Sequence, residues 1–300
     1  MNAANSGMER PIVIKIGGAI IDQTAALSRL CEMVAKLHCS LAQRESRRGV
    51  VVVHGGGLAI DAHLRQLGYE PHRVDGIRVT PPDQIDAVVE VLAGRMNRSL
   101  VGKIDASLKR AGTAHRAVGL SIGDGGLTTA RPVACGDINF GCVGEVTGGD
   151  PALVDTLLGS CFLPVISPIA SNDVGGVCGA LNVNADDAAA AVAGIIDAQS
   201  LVLLSDVPGV LDADRQLILE LDAATIDRLI ADGVITGGMI PKVRAALDTA
   251  TRTGVATRIA SWKDPAALLA LASGGDCGTL VLPAPSMTHA HSTLGAEDRS

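Results

Sequence analysis

Aromatic side chains are almost absent: one Trp, one Tyr and two Phe in 300 residues. Surfaces that read single-stranded nucleic acid stack bases on aromatic rings, and this chain has too few to build one. An excess of positive charge is missing too. Against 32 Asp and Glu stand 25 Lys and Arg, a formal net charge of −7. That balance argues against nucleic acid or an anionic membrane as main partner and leaves room for a local basic site for a small anion. No apolar run approaches the roughly 18 residues that span a bilayer. The seven cysteines are scattered and form no CxxC pair, and the seven His give no structural zinc spacing. With no secretory signal at the N-terminus, this predicts a reduced, cytoplasmic protein whose thiols act as small buried hydrophobes. There is no GxxxxGK[ST] loop and no GxGxxG after the first strand, so the two commonest α/β nucleotide fingerprints are absent.

What is present is apolar and glycine-rich. Hydrophobic residues make up 47% and glycines number 35, so a sizeable core is available. Segments 1–10 and 284–300 are polar and read as loose tails. Between them, β-branched runs alternate with amphipathic stretches. Strands are expected at 11–16, 50–53, 117–121, 163–167, 201–205, 258–260 and 279–282. Helices are expected at 24–46, 186–196, 223–232 and 240–251. A further long helix is expected to be capped by Thr80, with prolines 81 and 82 in its first turn and Gly112 near its end. Alternation of this kind means a mostly parallel sheet covered on both faces, an open αβα sandwich. The rhythm breaks near 171–186, which places a lobe boundary there: 11–180 and 181–283.

Ligands of parallel sheets bind outside the carboxyl ends of the strands. Two such ends run into glycine: Lys15-Ile16-Gly17-Gly18 and His54-Gly55-Gly56-Gly57. Glycines there let backbone N–H groups approach an anion. Tight turns without a ligand are the plainer account of either one alone. Lys15 lies inside the apolar strand PIVIKI, where a lysine needs a partner or a route to water. Lys242 follows Gly237-Gly238 in the first turns of a helix, a position suited to phosphate. In Asn182-Val183-Asn184-Ala185-Asp186, helix capping accounts for Asn184 and Asp186 but leaves Asn182 unexplained. In Ser205-Asp206-Val207-Pro208-Gly209-Val210, Asp-x-Pro-Gly is good turn chemistry, and its place at the carboxyl end of a strand also suits a nucleotide. Arg78, between apolar neighbours, has the geometry to clamp a carboxylate.

A competing constellation points to a serine hydrolase. Gly119-Leu120-Ser121-Ile122-Gly123 matches a nucleophile elbow, and His54-Gly55-Gly56-Gly57 an oxyanion loop. The elbow needs a helix directly after the Ser, whereas Gly123-Asp124-Gly125-Gly126 follows. The only histidines after residue 115 are His289 and His291, both in the tail.

Taken in order, KIGG (15–18), HGGG (54–57), GIRVT (76–80), GLSIGDGG (119–126), GEVTG (144–148), LPVISPI (163–169), LNVNADDAA (181–189), LLSDVPGVL (203–211) and DGVITGGMIPKVRAAL (232–247) resemble the amino-acid kinase family, in its branch acting on N-acetyl-L-glutamate. The match spans roughly 11–283. The resemblance implies that ATP, with Mg²⁺, phosphorylates the γ-carboxylate of that acid in arginine synthesis. It implies an acyl-binding N-terminal lobe, an ATP-binding C-terminal lobe and a homodimer. Lys15 and Lys242 would stabilise the transferring phosphoryl group, with Asp186 orienting both. Gly56, Gly57, Arg78 and Asn182 would hold the acyl substrate. Gly17, Gly18, Asp206, Val207, Pro208, Gly209, Val210, Leu211, Val234, Ile235 and Thr236 would hold ATP, and no protein ligand to the metal is implied.

Family members inhibited by arginine carry an extra N-terminal helix and often Asp-Gly-Arg late in the chain. Here 14 residues precede Lys15, and the late segment reads Ala260-Ser261-Trp262. Both features imply a dimeric enzyme insensitive to arginine. A sister kinase acting on a blocked 2-aminoadipate shares almost every motif, because one methylene is worth only about 1–3 kcal/mol of discrimination. A nucleotide sensor needs affinity but not the paired lysines.

Overall fold

The computed structural model describes residues 10–21, 23–42, 48–74, 76–134 and 138–284. Most of both expected tails, Cys135 and the expected helix beyond Ala42 up to 46 lie outside the described residues. In chain order the strands are β1 (Ile12–Ile16), β2 (Val50–His54), β3 (Arg73–Val74), β4 (Ile77–Arg78), β5 (Arg116–Ser121), β6 (Thr129–Pro132), β7 (Val143–Gly148), β8 (Phe162–Ser167), β9 (Ile169–Ser171), β10 (Ala180–Val183), β11 (Ser200–Ser205), β12 (Glu220–Leu221), β13 (Thr257–Ser261) and β14 (Thr279–Val281). Eight of them form one sheet in the order β12-β14-β13-β11-β1-β2-β8-β5. All neighbours there are parallel except β13 and β14. A second sheet, β6-β7-β10-β9, and the β3-β4 hairpin complete the strands.

Side-chain alternation along β1 sorts the core into two layers. Ile12, Ile14 and Ile16 pack with Leu27, Leu30 and Val34 of helix Thr24–Leu41, with Leu100 and Ile104 of helix Asn97–Arg110, and with Leu268 of the 3-10 helix Pro265–Ser273. Val13 faces the other way, with Val51, Val53, Ile60 of helix Gly57–Gln66, and the alanines of helix Ala185–Ile195. The small faces of Ala188, Ala189 and Ala193 bring that helix close to the sheet: a Cβ on Gly55 would meet the Ala185 Cβ at 3.0 Å. Lys15 has the parity of Val13, so its side chain leaves the strand on the side of helix Ala185–Ile195. The sandwich therefore has the mostly parallel sheet covered on both faces that the alternating pattern implies.

Three expectations are corrected. Thr80 does not cap a helix. It bridges to Gly141, its Oγ1 accepts from Asn182 Nδ2 at 3.0 Å, and the helix begins at Ile85. Pro82 disfavours the helical region for Pro81, which delays the start. That helix is also not continuous α, because Glu90–Met96 is a π-helical segment between Ile85–Val89 and Asn97–Arg110. Finally, the thiols are not all free. Cys142 and Cys178 are joined by a disulfide with Cα atoms 5.6 Å apart. They precede β7 and β10, which run parallel with Asn182 opposite Val143, so their chain positions are neighbours in space. Among the described residues no helix is long and apolar enough to cross a membrane.

Ile14 is fully buried in the central strand. Ile14→Ala should destabilise the protein by about 2–5 kcal/mol, read from the urea midpoint; a loss below about 1 kcal/mol would contradict the layer assignment.

His38 is buried, and its Nδ1 accepts from Val50 N at 3.1 Å. Burial first, and His115 second, push its pKa down to about 4. Burial does the same to His54. Between about pH 6.5 and pH 4 the unfolded chain therefore binds more protons than the folded one, and stability falls as pH falls through that window. The loss per histidine is on the order of 3 kcal/mol at the acid end, at about 1.4 kcal/mol per pKa unit. His38→Gln should lose less stability than wild type between about pH 7.5 and pH 5 in urea melts; equal losses would contradict it.

Candidate active site

The strand ends converge on one edge of the large sheet. β1 ends at Ile16 beside Gly17 and Gly18, and β2 ends at His54 beside Gly55, Gly56 and Gly57. β11 ends at Ser205, with Asp206 next in the chain. From the second sheet, β10 ends at Val183 and Asn184 opens helix Ala185–Ile195, its Oδ1 accepting from Asp186 N at 2.8 Å and from Asp187 N at 3.4 Å. Two helix N-termini, at Gly57 and Ala185, thus border the same cleft. The uncapped N-terminus at Gly57 and the dipoles of both helices favour an anion there.

Lys15 carries the charge at the middle of this edge. Its side chain is only 14% exposed and needs a partner; Nζ lies 2.9 Å from Asp186 Oδ1. Lys242, in the first turns of helix Met239–Thr253, has a different partner. Its Nζ donates to Asp206 Oδ1 at 2.9 Å and to Ser205 Oγ at 3.0 Å. That hydrogen bond, with a second from the Ser205 hydroxyl, holds the Asp206 carboxyl at about 2. Asp186 was expected to orient both lysines; the structure gives it Lys15, and gives Lys242 to Asp206.

Two cavities meet at Lys15. One, of about 200 Å³, is lined by Lys15, Gly18, Gly56, Gly57, Arg78, Asn182 and Asp186 among others. The other, of about 390 Å³, is lined by Lys15, Asn184, Asp186, Ser205, Lys242 and Arg252 among others. Lys15, Asn184 and Asp186 belong to both walls. Gly56 is closely backed, since a Cβ there would fall 2.3 Å from Met96 Sδ. The bare backbone is what allows this turn beside the cavity.

Arg78, on β4, is buried and points two ways. One nitrogen donates to Gly57 O at 2.9 Å and the other to Asp61 Oδ1. Asn182 is fixed through its Nδ2 on Thr80 Oγ1 and its backbone N on Cys142 O at 2.8 Å.

The remaining expected residues line neither cavity. Gly17 lies beside Lys15, and a Cβ there would sit 3.5 Å from its Nζ. Val210 and Ile235 are buried in a third apolar cluster, with Val207 packed against it. Gly209 has φ +147°, and Val210 N donates to Thr279 Oγ1 at 2.8 Å. A Cβ at Gly209 would meet that oxygen at 2.6 Å, so the turn after Asp206 is tied down on β14. Pro208 and Thr236 are exposed, and Leu211 and Val234 are half-buried.

Sequence reasoning missed Asp61 and Arg73. Asp61 had a signal: a carboxylate on the apolar face of its helix, beside buried Ile60 and one turn before Leu64. Arg73 had none, and Ser205 opens the strand-end segment already read as suited to a nucleotide. The hydrolase reading fails on geometry. Ser121 Oγ bonds to Ser167 Oγ at 2.9 Å, and its backbone N–H donates to Asp124. His54 is spent within the turn, with Nε2 on Asn97 Nδ2 and Nδ1 on Gly55 O, both at 3.3 Å.

Comparison with known proteins agrees with the fold. A structure of N-acetylglutamate synthase from Neisseria gonorrhoeae, with coenzyme A and L-arginine, superposes with a TM-score of 0.69 at 21% identity over 91% of this chain; the chain spans 61% of that protein. Carbamate kinase from Giardia lamblia bound to AMP-PNP gives 0.62 at 17% identity, covering 92% of this chain and 99% of that one. At those identities the likeness concerns the fold. Curated sequences are nearer. The chain is 45% identical to the acetylglutamate kinase of Actinobacillus succinogenes over 91% of its own length and all of that protein. It is 43% identical to that of Vibrio cholerae, over 91% of this chain and 97% of that one. The model of the amino acid kinase family matches residues 10–261. The chain belongs to the amino acid kinase family.

Proposed function

We propose that this chain transfers the γ-phosphoryl group of ATP to the γ-carboxylate of N-acetyl-L-glutamate, giving N-acetyl-L-glutamyl 5-phosphate, the kinase step of arginine synthesis. The observation that carries the reading is the junction of the two cavities at Lys15. The smaller one suits a compact acid and the larger one a triphosphate, so the reacting oxygens meet over one half-buried ammonium. Relatives named for this activity at 45% identity support the choice of acid.

The chemistry asks for little else. A γ-carboxylate with an ordinary pKa of about 4.3 is ionised at neutral pH and attacks without a general base. The difficulty is bringing one anion up to another. Catalysis is then positioning plus positive charge. Lys15 stands at the junction, held there by Asp186. Lys242 has to exchange Asp206 and Ser205 for a phosphate oxygen. Mg²⁺ enters as Mg-ATP, carried chiefly on the phosphate oxygens, and lowers their charge. Backbone N–H groups of Gly56 and Gly57 face the acyl group, and Arg78 and Asn182 hold its amino-acid part. Gly17 and Gly18 follow Lys15 at the end of β1, where they would face the transferring phosphoryl group from the acyl side. Asp206–Leu211 and Val234–Thr236 form the platform for the rest of the nucleotide. On this reading the acyl lobe is 11–180 and the nucleotide lobe 181–283, and the protein works as a cytoplasmic homodimer.

Mg-ATP and hydroxylamine should trap an acyl hydroxamate from N-acetylglutamate. N-acetylaminoadipate, free glutamate and aspartate should give little. Product chiefly from the longer acid would move the enzyme to the sister reaction. Lys15→Ala and Lys242→Ala should each lower kcat by about 10²–10³, with unchanged circular dichroism. Near-normal turnover in either would contradict that lysine's role.

A further inference from the structure

The acyl cavity holds a charge cluster that the reaction as described leaves unused. Asp61 lies one turn into helix Gly57–Gln66, and its side chain is 8% exposed. Its two oxygens go to two different arginines. Oδ1 accepts from Arg78, and Oδ2 from Arg73 NH2 at 2.7 Å. Both arginines stand on the β3-β4 hairpin, directly opposite one another in its antiparallel register. Both line the acyl cavity beside Gly57, whose carbonyl holds the second arm of Arg78.

Two facing guanidiniums repel. A carboxylate lodged on both offsets that repulsion and fixes their planes. The cluster then carries one net positive charge, turned towards the cavity. Burial raises the Asp61 pKa, but hydrogen bonds from Arg78 and Arg73 outweigh it and the net direction is down, so the carboxylate stays charged. Burial first, with repulsion from Arg73 and Arg65 behind it, pulls the Arg78 pKa down, and Asp61 works against that.

We propose that Asp61 is a positioning residue that holds Arg78 and Arg73 as a two-guanidinium reader of the substrate's α-carboxylate. This rests on the acyl-substrate reading above and adds Arg73 and Asp61 to it. One surplus charge matches one α-carboxylate. An unblocked amino acid would also bring an α-ammonium towards two arginines, so the same cluster favours an acylated nitrogen.

The test uses the full-length enzyme and two acids: N-acetyl-L-glutamate and N-acetyl-L-isoglutamine, whose α-carboxyl is amidated and γ-carboxyl free. Wild type should prefer the first by about 10²-fold or more in kcat/KM. In Asp61→Asn that preference should fall about tenfold or more, through a higher KM for N-acetylglutamate. KM for ATP should hold, reporting an intact nucleotide site. Asp61→Glu should restore part of the preference. Arg73→Gln, at a side chain 39% exposed, supplies a variant whose folding is not at issue, and should show the same loss. An unchanged preference in Asp61→Asn or in Arg73→Gln overturns the inference. So does a fall in kcat with KM values and preference unaltered. If wild type makes no hydroxamate from N-acetylglutamate, the functional reading itself fails, which is a different outcome from a variant that keeps its selectivity.

Discussion

A lysine at the carboxyl end of a buried strand requires a counter-charge, and the rest of the site is arranged around how Lys15 obtains one. Its neighbours on the same face of β1 and β2 are Val13, Val51 and Val53, all inaccessible to solvent. The chain meets the requirement with Asp186, three residues past the end of β10, in the first turn of an alanine-rich helix. That helix approaches closely because its inner face is alanine, and because Gly55 offers no side chain against Ala185. Packing and electrostatics therefore act on the same contact. The buried alanines set the distance, and the 2.9 Å ion pair sits where two cavities join.

The same edge shows how a parallel sheet without a familiar phosphate loop can still present an anion site. Strand ends at Ile16, His54 and Ser205 lie side by side, and two helices begin between them. The cations of this edge are paired: Lys15 with Asp186, Lys242 with Asp206, Arg78 with Asp61. Each carboxylate keeps a like-charged neighbourhood together and leaves the cation oriented. The exposed Lys242 pair is the weakest of the three, because exposed pairs contribute only about 0–1 kcal/mol. That makes it the one most readily exchanged for a phosphate.

Much of this was legible in the chain. The apolar setting of Lys15 marked it, the two glycine turns marked the edge, and Asn182 stood out because capping left it unexplained. The layer architecture followed from alternating runs. Other parts carried no local signal. The partner of Lys242 depends on β11 and helix Met239–Thr253 meeting in space, and the family resemblance had implied Asp186 instead. The Thr80 cap failed because a proline pair displaced the helix start, and because a buried Asn182 amide competed for the hydroxyl. Arg73 and Arg78 face one another only through the register of a two-residue hairpin. Cys142 and Cys178, 36 residues apart, became neighbours through the parallel pairing of β7 and β10.

The central claim is that the phosphoryl group passes between the two cavities over Lys15. The most direct measurement is a crystal structure with ADP, Mg²⁺, aluminium fluoride and N-acetyl-L-glutamate bound together. The account predicts the planar fluoride in line between the γ-carboxylate and the ADP β-phosphate oxygen. The amines of Lys15 and Lys242 should lie within hydrogen-bond distance of it, with Lys242 released from Asp206. A fluoride group bound away from Lys15, or an acid held outside the Gly56–Asn182 cavity, would contradict it.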